Sequence, residues 1–221
     1  MARYIVLIGD LIGSRKIRNR GEIQERLRDV LAQLNERYSS MLASRLMLTL
    51  GDEFQGIFRP DPRLLRLLDE LFLAAPHPFR LGLGYGEIVT AIDPELSIGA
   101  DGEAFWHART AIDRAHRETY GGICHISFAG GCERADSTIN TLFLLSETIK
   151  TQWTRLQLET FAALLASDIY DEDFHQADFA RTLGISESSL SKRLSLGHIK
   201  IYLRARTEIT QLLEAYDAPA E

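Results

Sequence analysis

The feature that most constrains the fold is a change in hydrophobic periodicity near residue 130. Before it, short apolar and β-branched runs typical of strands alternate with segments whose apolar residues recur every three or four positions. After the polar segment 130–136, only helix-type spacing remains. The change predicts a sheet-containing domain over residues 1–132 and an all-helical domain over residues 133–221.

The first domain is predicted to follow the order βαββαβ with one additional strand. Strands are expected at 3–9, 45–50, 54–58, 79–86 and 123–128, and helices at 21–38, between Pro60 and Pro76, and at 102–118. That order is typical of a ferredoxin-like α+β sheet, which we expect to carry its helices on one face. In the second domain, helices are expected at 137–151, 154–167, 174–183, 187–196 and 199–216, followed by a frayed tail at 217–221.

The composition excludes several classes of protein. A net charge of −6 over 221 residues argues against nucleic acid covering the whole surface, although it allows a local basic patch. Cys124 and Cys132 lack the spacing and histidine partners of a zinc site, so we interpret them as reduced thiols. We find neither a secretory signal nor the roughly 18 apolar residues of a membrane span, and therefore expect a cytoplasmic protein without a membrane partner.

Two aspartates mark the predicted functional site. Asp10 ends the first strand, and Asp52 lies in the tight turn of the 45–58 hairpin. Because the first strand and the hairpin are neighbours in this strand order, both carboxylates are expected at one place. Two unpaired carboxylates repel each other, and Mg²⁺ or Mn²⁺ would relieve that repulsion. The alternative is that Asp10 only caps the turn that follows it.

The residues beside both aspartates suit a phosphate. A Gly-Ser turn follows Asp10, and its backbone N–H groups could cradle a phosphate whose charge Arg15 or Lys16 would neutralise. Glu53 is either a third acidic ligand or a solvated hairpin residue, and Gln55 either contacts a base or has no binding role. The predicted nucleotide- or phosphate-binding residues are Leu11, Ile12, Gly13, Ser14, Arg15, Gly51, Glu53 and Gln55.

Two further segments are expected near this site. The 79–86 strand contains glycines at 82, 84 and 86, and so many glycines in one strand indicate the close approach of a backbone or a ligand. Arg109 lies in the second turn of the 102–118 helix, where it could clamp a phosphate or pair with a carboxylate.

The helical domain contains a helix-turn-helix pattern over 176–194. Ala180 is small where two helices would cross, Gly184 lies where the turn needs a positive φ, and Ser186 can cap the second helix. Five basic residues (181, 192, 193, 200 and 204) surround a single acid, Glu187. The predicted DNA-binding residues are Ser186, Ser188, Ser189, Lys192 and Arg193. A domain that binds proteins would share this pattern, so both interpretations stay open.

These motifs together resemble the SatD family of bacterial proteins. The segments that carry the resemblance are IGDLIGSR (8–15), LGDEFQG (50–56), GLGYGE (82–87) and AFWHAR (104–109). More distantly, the first 130 residues resemble the palm-type catalytic domain of class III nucleotidyl cyclases. That resemblance implies that Asp10 and Asp52 bind metal and that Arg109 contacts phosphate. Phe105 departs from it, because it stands where the cyclases have an asparagine, and the base-selecting lysine has no clear counterpart.

Three functions follow as hypotheses. The leading one is a nucleotide- and metal-responsive DNA-binding regulator, in which a nucleoside triphosphate or related phosphate ligand binds through Asp10, Asp52 and residues 13–15. The second is an active nucleotidyl cyclase or nucleotidyltransferase with Asp10, Asp52 and Arg109 as catalytic residues. The third is a non-catalytic protein-interaction adaptor. Because cyclase sites are commonly shared between two subunits, the resemblance also implies a homodimer.

Overall fold

In the computed structural model, which describes residues 2–217, strands and helices alternate up to residue 129 and helices alone follow. The strands are β1 (Arg3–Leu11), β2 (Leu42–Leu48), β3 (Glu53–Phe58), β4 (Phe79–Glu87) and β5 (Ile126–Ala129). The helices are α1 (Arg20–Arg37), α2 (Leu64–Ala74), α3 (Glu103–Arg117), α4 (Glu133–Thr151), α5 (Arg155–Ala166), α6 (Gln176–Thr182), α7 (Glu187–Leu196) and α8 (Ile199–Glu214). The frayed tail predicted at 217–221 lies, beyond Asp217, outside the described residues.

These strands form one mixed sheet in the order β2-β3-β1-β4-β5. The central strand β1 pairs antiparallel with β3 and with β4, and β5 joins β4 in parallel. Side chains of β1 are buried on both faces of the sheet, which explains the continuous apolar run at 5–8. The predicted mixture of sheet and helices, and the predicted order of the elements, are confirmed.

Helices cover both faces of the sheet, so the expectation of a single helical face was wrong. Leu7 belongs to a core shared with α1 and α2, whereas Val6, on the opposite face, belongs to a core shared with α3. The glycines of β4 permit this second layer. A Cβ atom added at Gly84 would lie 2.1 Å from the backbone of Ala104 and of Ala108, so α3 lies directly against the strand. A close backbone approach therefore accounts for these glycines.

The helical part has a core of its own but also packs into the core of the sheet. Phe161 of α5 and Leu190 of α7 are completely buried in the helical core. Phe143 of α4 and Ile209 of α8 instead join the core beneath the sheet. The boundary predicted between residues 132 and 133 coincides with the start of α4, and the regions on its two sides share a packed interface.

Four buried charged residues cross this interface, and we call them the buried ionic network: Asp69, Glu147, Lys150 and Arg206. Arg206 Nη2 of α8 lies 3.1 Å from Asp69 Oδ1 of α2 and 3.2 Å from Glu147 Oε1 of α4. Lys150 Nζ lies 2.6 Å from the same Glu147 oxygen. The network thereby fixes the helical region against the sheet through hydrogen-bonded opposite charges.

Candidate functional site

The strand order brings Asp10 and Asp52 together, and we call this pair the carboxylate site. The backbone N–H of Leu11 donates to the carbonyl oxygen of Asp52 at 3.0 Å. Asp10 lies directly opposite Glu53 on β3 and Arg80 on β4. Side chains directly opposite in antiparallel strands lie on the same face, so an acidic and a basic residue flank Asp10. The predicted proximity of the two aspartates is therefore present in the fold.

One oxygen of the Asp10 carboxyl has basic side chains as neighbours, and the other has none. Oδ2 lies 3.3 Å from His116 Nε2 and 3.6 Å from Arg80 Nη1. Oδ1 is buried without a hydrogen-bond partner among the described residues. Burial raises the pKa of Asp10, His116 and Arg80 lower it, and Asp52 raises it again, with a net rise above its ordinary value. This carboxyl is therefore incompletely compensated when it is ionised.

Asp52 is held by the loop that follows β1 and by α1. Arg20 Nη2 lies 3.2 Å from its Oδ1 oxygen, and the Ser14 hydroxyl donates to Oδ2. Two glycines shape the backbone here: Gly13 (φ +65°) starts the turn that carries Ser14, and Gly51 (φ +62°) precedes Asp52 in the hairpin. The Ser14 hydroxyl, predicted to bind phosphate, is thus engaged with the second aspartate.

The last residue of β1 and the first residue of the loop that follows it both use their backbone N–H groups within the fold. Besides the bond from Leu11, the Ile12 N–H donates to the Pro78 carbonyl oxygen at 2.9 Å, and His77 Nε2 lies 2.7 Å from the Ile12 carbonyl oxygen. The Arg15 side chain is exposed. A phosphate bound at this loop would therefore contact residues 13–15.

Three other predicted residues lie on the α3 side of the sheet. Gln55 Nε2 donates to the Ser97 carbonyl oxygen at 2.8 Å, which fixes the loop before α3 over β3. Arg109 is 59% exposed, and its Nη1 lies 3.9 Å from Glu53 Oε2. Arg109 was expected either to clamp a phosphate or to pair with a carboxylate. In this conformation it lies near the carboxylate of Glu53, and its exposed side chain is still accessible to a phosphate ligand.

Arg20, Arg80 and His116 were missed by the sequence analysis although they contact the carboxylate site. Arg80 could have been found from strand register, since β4 pairs with β1. His116 lies seven residues after Arg109, which places both on one face of the predicted α3. Arg20 gave no such signal, because its contact depends on how α1 packs.

At the carboxylate site, a divalent cation would have two protein carboxylates as ligands, those of Asp10 and Asp52. In the described part of the chain, no group of three or more His, Cys, Asp or Glu residues is placed to hold a metal ion. Mg²⁺ commonly takes one or two protein carboxylates and completes its shell with water and phosphate oxygens. The unpartnered Asp10 Oδ1 beside Asp52 provides such a starting point.

The α6–α7 pair has the turn geometry that the sequence predicted. Gly184 has φ +64°, and the Ser186 hydroxyl accepts a hydrogen bond from the Ser189 N–H at 3.2 Å, which caps α7. Ala180 is buried. The inward face of α7 is likewise buried through Leu190 and Leu194, so the opposite face is presented to solvent.

The exposed basic surface around the α6–α7 pair is smaller than the count of five basic residues in the sequence indicated. Ser188, Ser189 and Lys192 are exposed. Arg193, however, is only partly exposed, and its Nη1 lies 3.5 Å from the Thr160 hydroxyl of α5. In addition, two of the counted arginines are engaged by acids, Arg181 by Asp178 and Arg204 by Glu172 and Glu208.

A comparison with protein families covers both regions. The model of the SatD family matches residues 4–213, from β1 to α8. The chain belongs to the SatD family. The matched residues of this SatD-family chain include both the carboxylate site and the α6–α7 pair, so the family model spans both features. None of its described helices is long and apolar enough to cross a membrane.

Proposed function

We propose that this SatD-family protein is a DNA-binding regulator that responds to a nucleoside triphosphate, or a related phosphate ligand, together with Mg²⁺ or Mn²⁺ at the carboxylate site. The observation that carries the proposal is the state of Asp10. Its Oδ1 oxygen is buried without a partner, its pKa is raised mainly by burial, and a second carboxylate lies beside it. A bound cation would supply the missing partner and remove the repulsion.

Cationic side chains around the carboxylate site support a phosphate ligand. Arg15 is exposed, Arg20 is 42% exposed, and Arg109 is 59% exposed. Such guanidinium groups can exchange a carboxylate partner for phosphate oxygens in the same bidentate geometry. The observed strand order is compatible with the palm-type domain that the cyclase resemblance implies, which further supports a nucleotide.

DNA is the proposed partner of α7. The capped N-terminus of this helix, together with exposed Ser188, Ser189 and Lys192, offers hydrogen-bond donors and a positive charge suited to phosphates and base edges. Because α8 packs into both cores, a ligand-induced change in the sheet could alter the position of α7.

A thermal-shift panel of the four nucleoside triphosphates tests the ligand. With Mg²⁺ present, at least one should raise the unfolding temperature of the full chain, since a ligand that binds only the folded state stabilises it. Asp52→Asn should abolish the rise, whereas Asp173→Asn, a matched change at an exposed aspartate between α5 and α6, should keep it. The absence of any Mg²⁺-dependent shift across all four nucleotides would contradict the proposal.

A salt series on a DNA column tests the partner. Retention should weaken as salt rises, and Lys192→Gln should weaken it further and reduce the salt slope by about one. Arg117→Gln, which removes an exposed charge from α3, serves as the control. Retention that is absent or independent of salt would exclude DNA binding through α7.

Nucleotidyl cyclase or nucleotidyltransferase activity is a second candidate, favoured by the adjacency of Asp10 and Asp52. Two metals at such a pair could activate a hydroxyl and stabilise the departing pyrophosphate. Phe105 argues against cyclisation, because it is buried between α3 and the sheet and cannot replace the asparagine of the cyclases. Release of pyrophosphate from a nucleotide, lost in Asp10→Ala, would establish an enzyme. If the pyrophosphate assay, the thermal-shift panel and the DNA column all give negative results, the protein-interaction adaptor is the hypothesis that remains.

A further inference from the structure

The loop between β1 and α1 carries three basic side chains that have no ion pair, and we call residues 15–18 the basic loop. Arg15, Lys16 and Arg18 are all exposed. Within the part of the chain that the structure describes, none of the three forms a salt bridge with an acid. The whole chain has a net charge of −6, so the basic loop is a local positive patch on an acidic protein and attracts anions.

Both ends of this segment are attached to the carboxylate site. Immediately before the basic loop, the Ser14 hydroxyl donates to Asp52 Oδ2. Two residues after it, Arg20 Nη2 lies 3.2 Å from Asp52 Oδ1. A short segment whose two ends contact the same carboxylate stays beside it, because the reach of the chain is limited. A ligand bound at the carboxylate site would therefore lie next to the basic loop.

The acids of the site do not need the charges of the basic loop. Each of three acids already has a basic side chain within 3.9 Å, in the pairs Asp10–Arg80, Asp52–Arg20 and Glu53–Arg109. The positive charges of the basic loop are therefore available to a ligand. A polyphosphate chain suits this arrangement, because some of its oxygens can complete the shell of a bound Mg²⁺ while others pair with guanidinium and ammonium groups.

Contacts that could select a base are much scarcer. Hydrogen bonds to the edge of a base distinguish one base from another, but two amides near the site are already used by the fold. Gln55 Nε2 donates to the Ser97 carbonyl oxygen at 2.8 Å, and Gln24 Nε2 donates to the carbonyl oxygen of Gly51. The exposed ring of Trp106 could stack on a base, but stacking accepts every base because each has a π face.

We propose that the carboxylate site and the basic loop recognise the polyphosphate chain of the ligand and not its base, so that inorganic tripolyphosphate with Mg²⁺ is itself a ligand. This inference rests on the proposed binding of a metal and a phosphate ligand at Asp10 and Asp52, and it defines what that site reads. Affinity rises with the number of phosphates, because each additional phosphate brings further charge-assisted hydrogen bonds to the basic loop.

Isothermal titration calorimetry on the full chain with Mg²⁺ tests this order with ATP, GTP, CTP, UTP, tripolyphosphate and pyrophosphate. The four nucleotides should bind within about threefold of one another and tripolyphosphate within about tenfold of them. Pyrophosphate should bind at least about tenfold more weakly than tripolyphosphate, the effect of losing hydrogen bonds to charged groups. Strong preference for one nucleotide, or failure of tripolyphosphate to bind, would overturn the inference and leave the proposed function intact. No binding of any of these ligands would overturn both.

Removing the charges of the basic loop gives an independent test. One variant combines three substitutions: Arg15→Gln, Lys16→Gln and Arg18→Gln. It should bind tripolyphosphate at least about tenfold more weakly than wild type and lose most of the preference over pyrophosphate. The control makes the same change in net charge at three exposed arginines of α4, α5 and α6: Arg134→Gln, Arg155→Gln and Arg181→Gln. Equal weakening in both variants would assign the binding to net charge and overturn the inference.

A nucleic acid strand would also be attracted to the basic loop, so a competition experiment includes a short single-stranded oligodeoxynucleotide without terminal phosphates. It should not displace tripolyphosphate, because DNA bound through α7 leaves the basic loop free. Displacement that is lost in the basic-loop variant would assign this loop to a nucleic acid backbone and overturn the inference. Circular dichroism verifies that both variants are folded, and the wild-type ligand series decides the proposal if one is not.

Discussion

The carboxylate site and the buried ionic network are both built from acidic side chains facing basic ones, yet their environments differ. In the network, Asp69, Glu147, Lys150 and Arg206 have side chains that are only 1–4% exposed, and each charge touches an opposite one. Asp69 also accepts hydrogen bonds from the hydroxyls of Tyr170 and Tyr202. Every acceptor oxygen of that carboxylate is therefore occupied.

The carboxylate site is less complete. Asp10 and Asp52 are 17% and 30% exposed, and their partners His116 and Arg20 are 46% and 42% exposed. One Asp10 oxygen has no partner among the described residues. The difference teaches that compensation, rather than the presence of charge, separates a structural cluster from a candidate site. A satisfied network fixes a fold, whereas an unsatisfied carboxyl can gain from a ligand.

The largest effect is expected from Arg206→Met, which removes one cation from the network. Asp69 and Glu147 would remain buried with less compensation, so the free energy of unfolding should fall by about 3–5 kcal/mol. Urea unfolding followed by circular dichroism measures the change. Arg204→Met, an exposed arginine on the same helix, is the control and should have a much smaller effect. A similar effect for both variants would show that burial does not distinguish the network.

An intermediate effect of opposite sign is expected from Asp10→Asn. Because the pKa of Asp10 is raised in the folded protein, the folded state binds this proton more tightly than the unfolded chain. The resulting stability is fully present below the unfolded value, near 3.8, and is lost as pH rises through the folded pKa. The uncharged variant should therefore be more stable than wild type at pH 7, by a margin that shrinks towards pH 4.

Unfolding curves of Asp10→Asn and wild type between pH 4 and pH 7 measure this margin. The same variant should lose the Mg²⁺-dependent nucleotide shift, which would be the stability–function trade-off of a binding site. If Asp10→Asn is instead less stable at pH 7, then Arg80 and His116 fully compensate the carboxylate, and the contrast with the network fails.

The smallest effect on stability is expected from Arg20→Gln. Its ion pair with Asp52 is exposed to solvent, so its loss should change the free energy of unfolding by less than about 1 kcal/mol. The nucleotide shift should nevertheless decrease, because a phosphate-facing cation is removed. A large loss of stability with an unchanged nucleotide shift would assign Arg20 to the structure rather than to the ligand.

Much of the secondary structure could be predicted from local pattern. The apolar run around Ile5 predicted β1, the three- and four-residue spacing through Leu27 predicted α1, and Gly184 with Ser186 predicted the turn before α7. These features succeed because periodicity, capping and positive φ depend on neighbouring residues. The placement of α3 could not be predicted in this way, because the β4 glycines fitted either a backbone or a ligand equally well.

The candidate functional residues also differ in whether local sequence could identify them. Asp10 and Asp52 were identifiable because each ends a strand-like run and strand order makes them neighbours. The basic face of the helical region was overestimated from the sequence, because a count of arginines does not reveal that Arg181 and Arg204 are paired with acids.

By itself, the sequence determined the order of strands and helices, the turn chemistry and the two aspartates, because these depend on residues close together in the chain. Tertiary structure alone decided which charges are satisfied. Arg206 ends in the buried ionic network, whereas Asp10 keeps an unpartnered oxygen. The physical reason is that desolvation and ion pairing depend on residues far apart in sequence, such as Asp69 and Arg206, and packing alone brings them together.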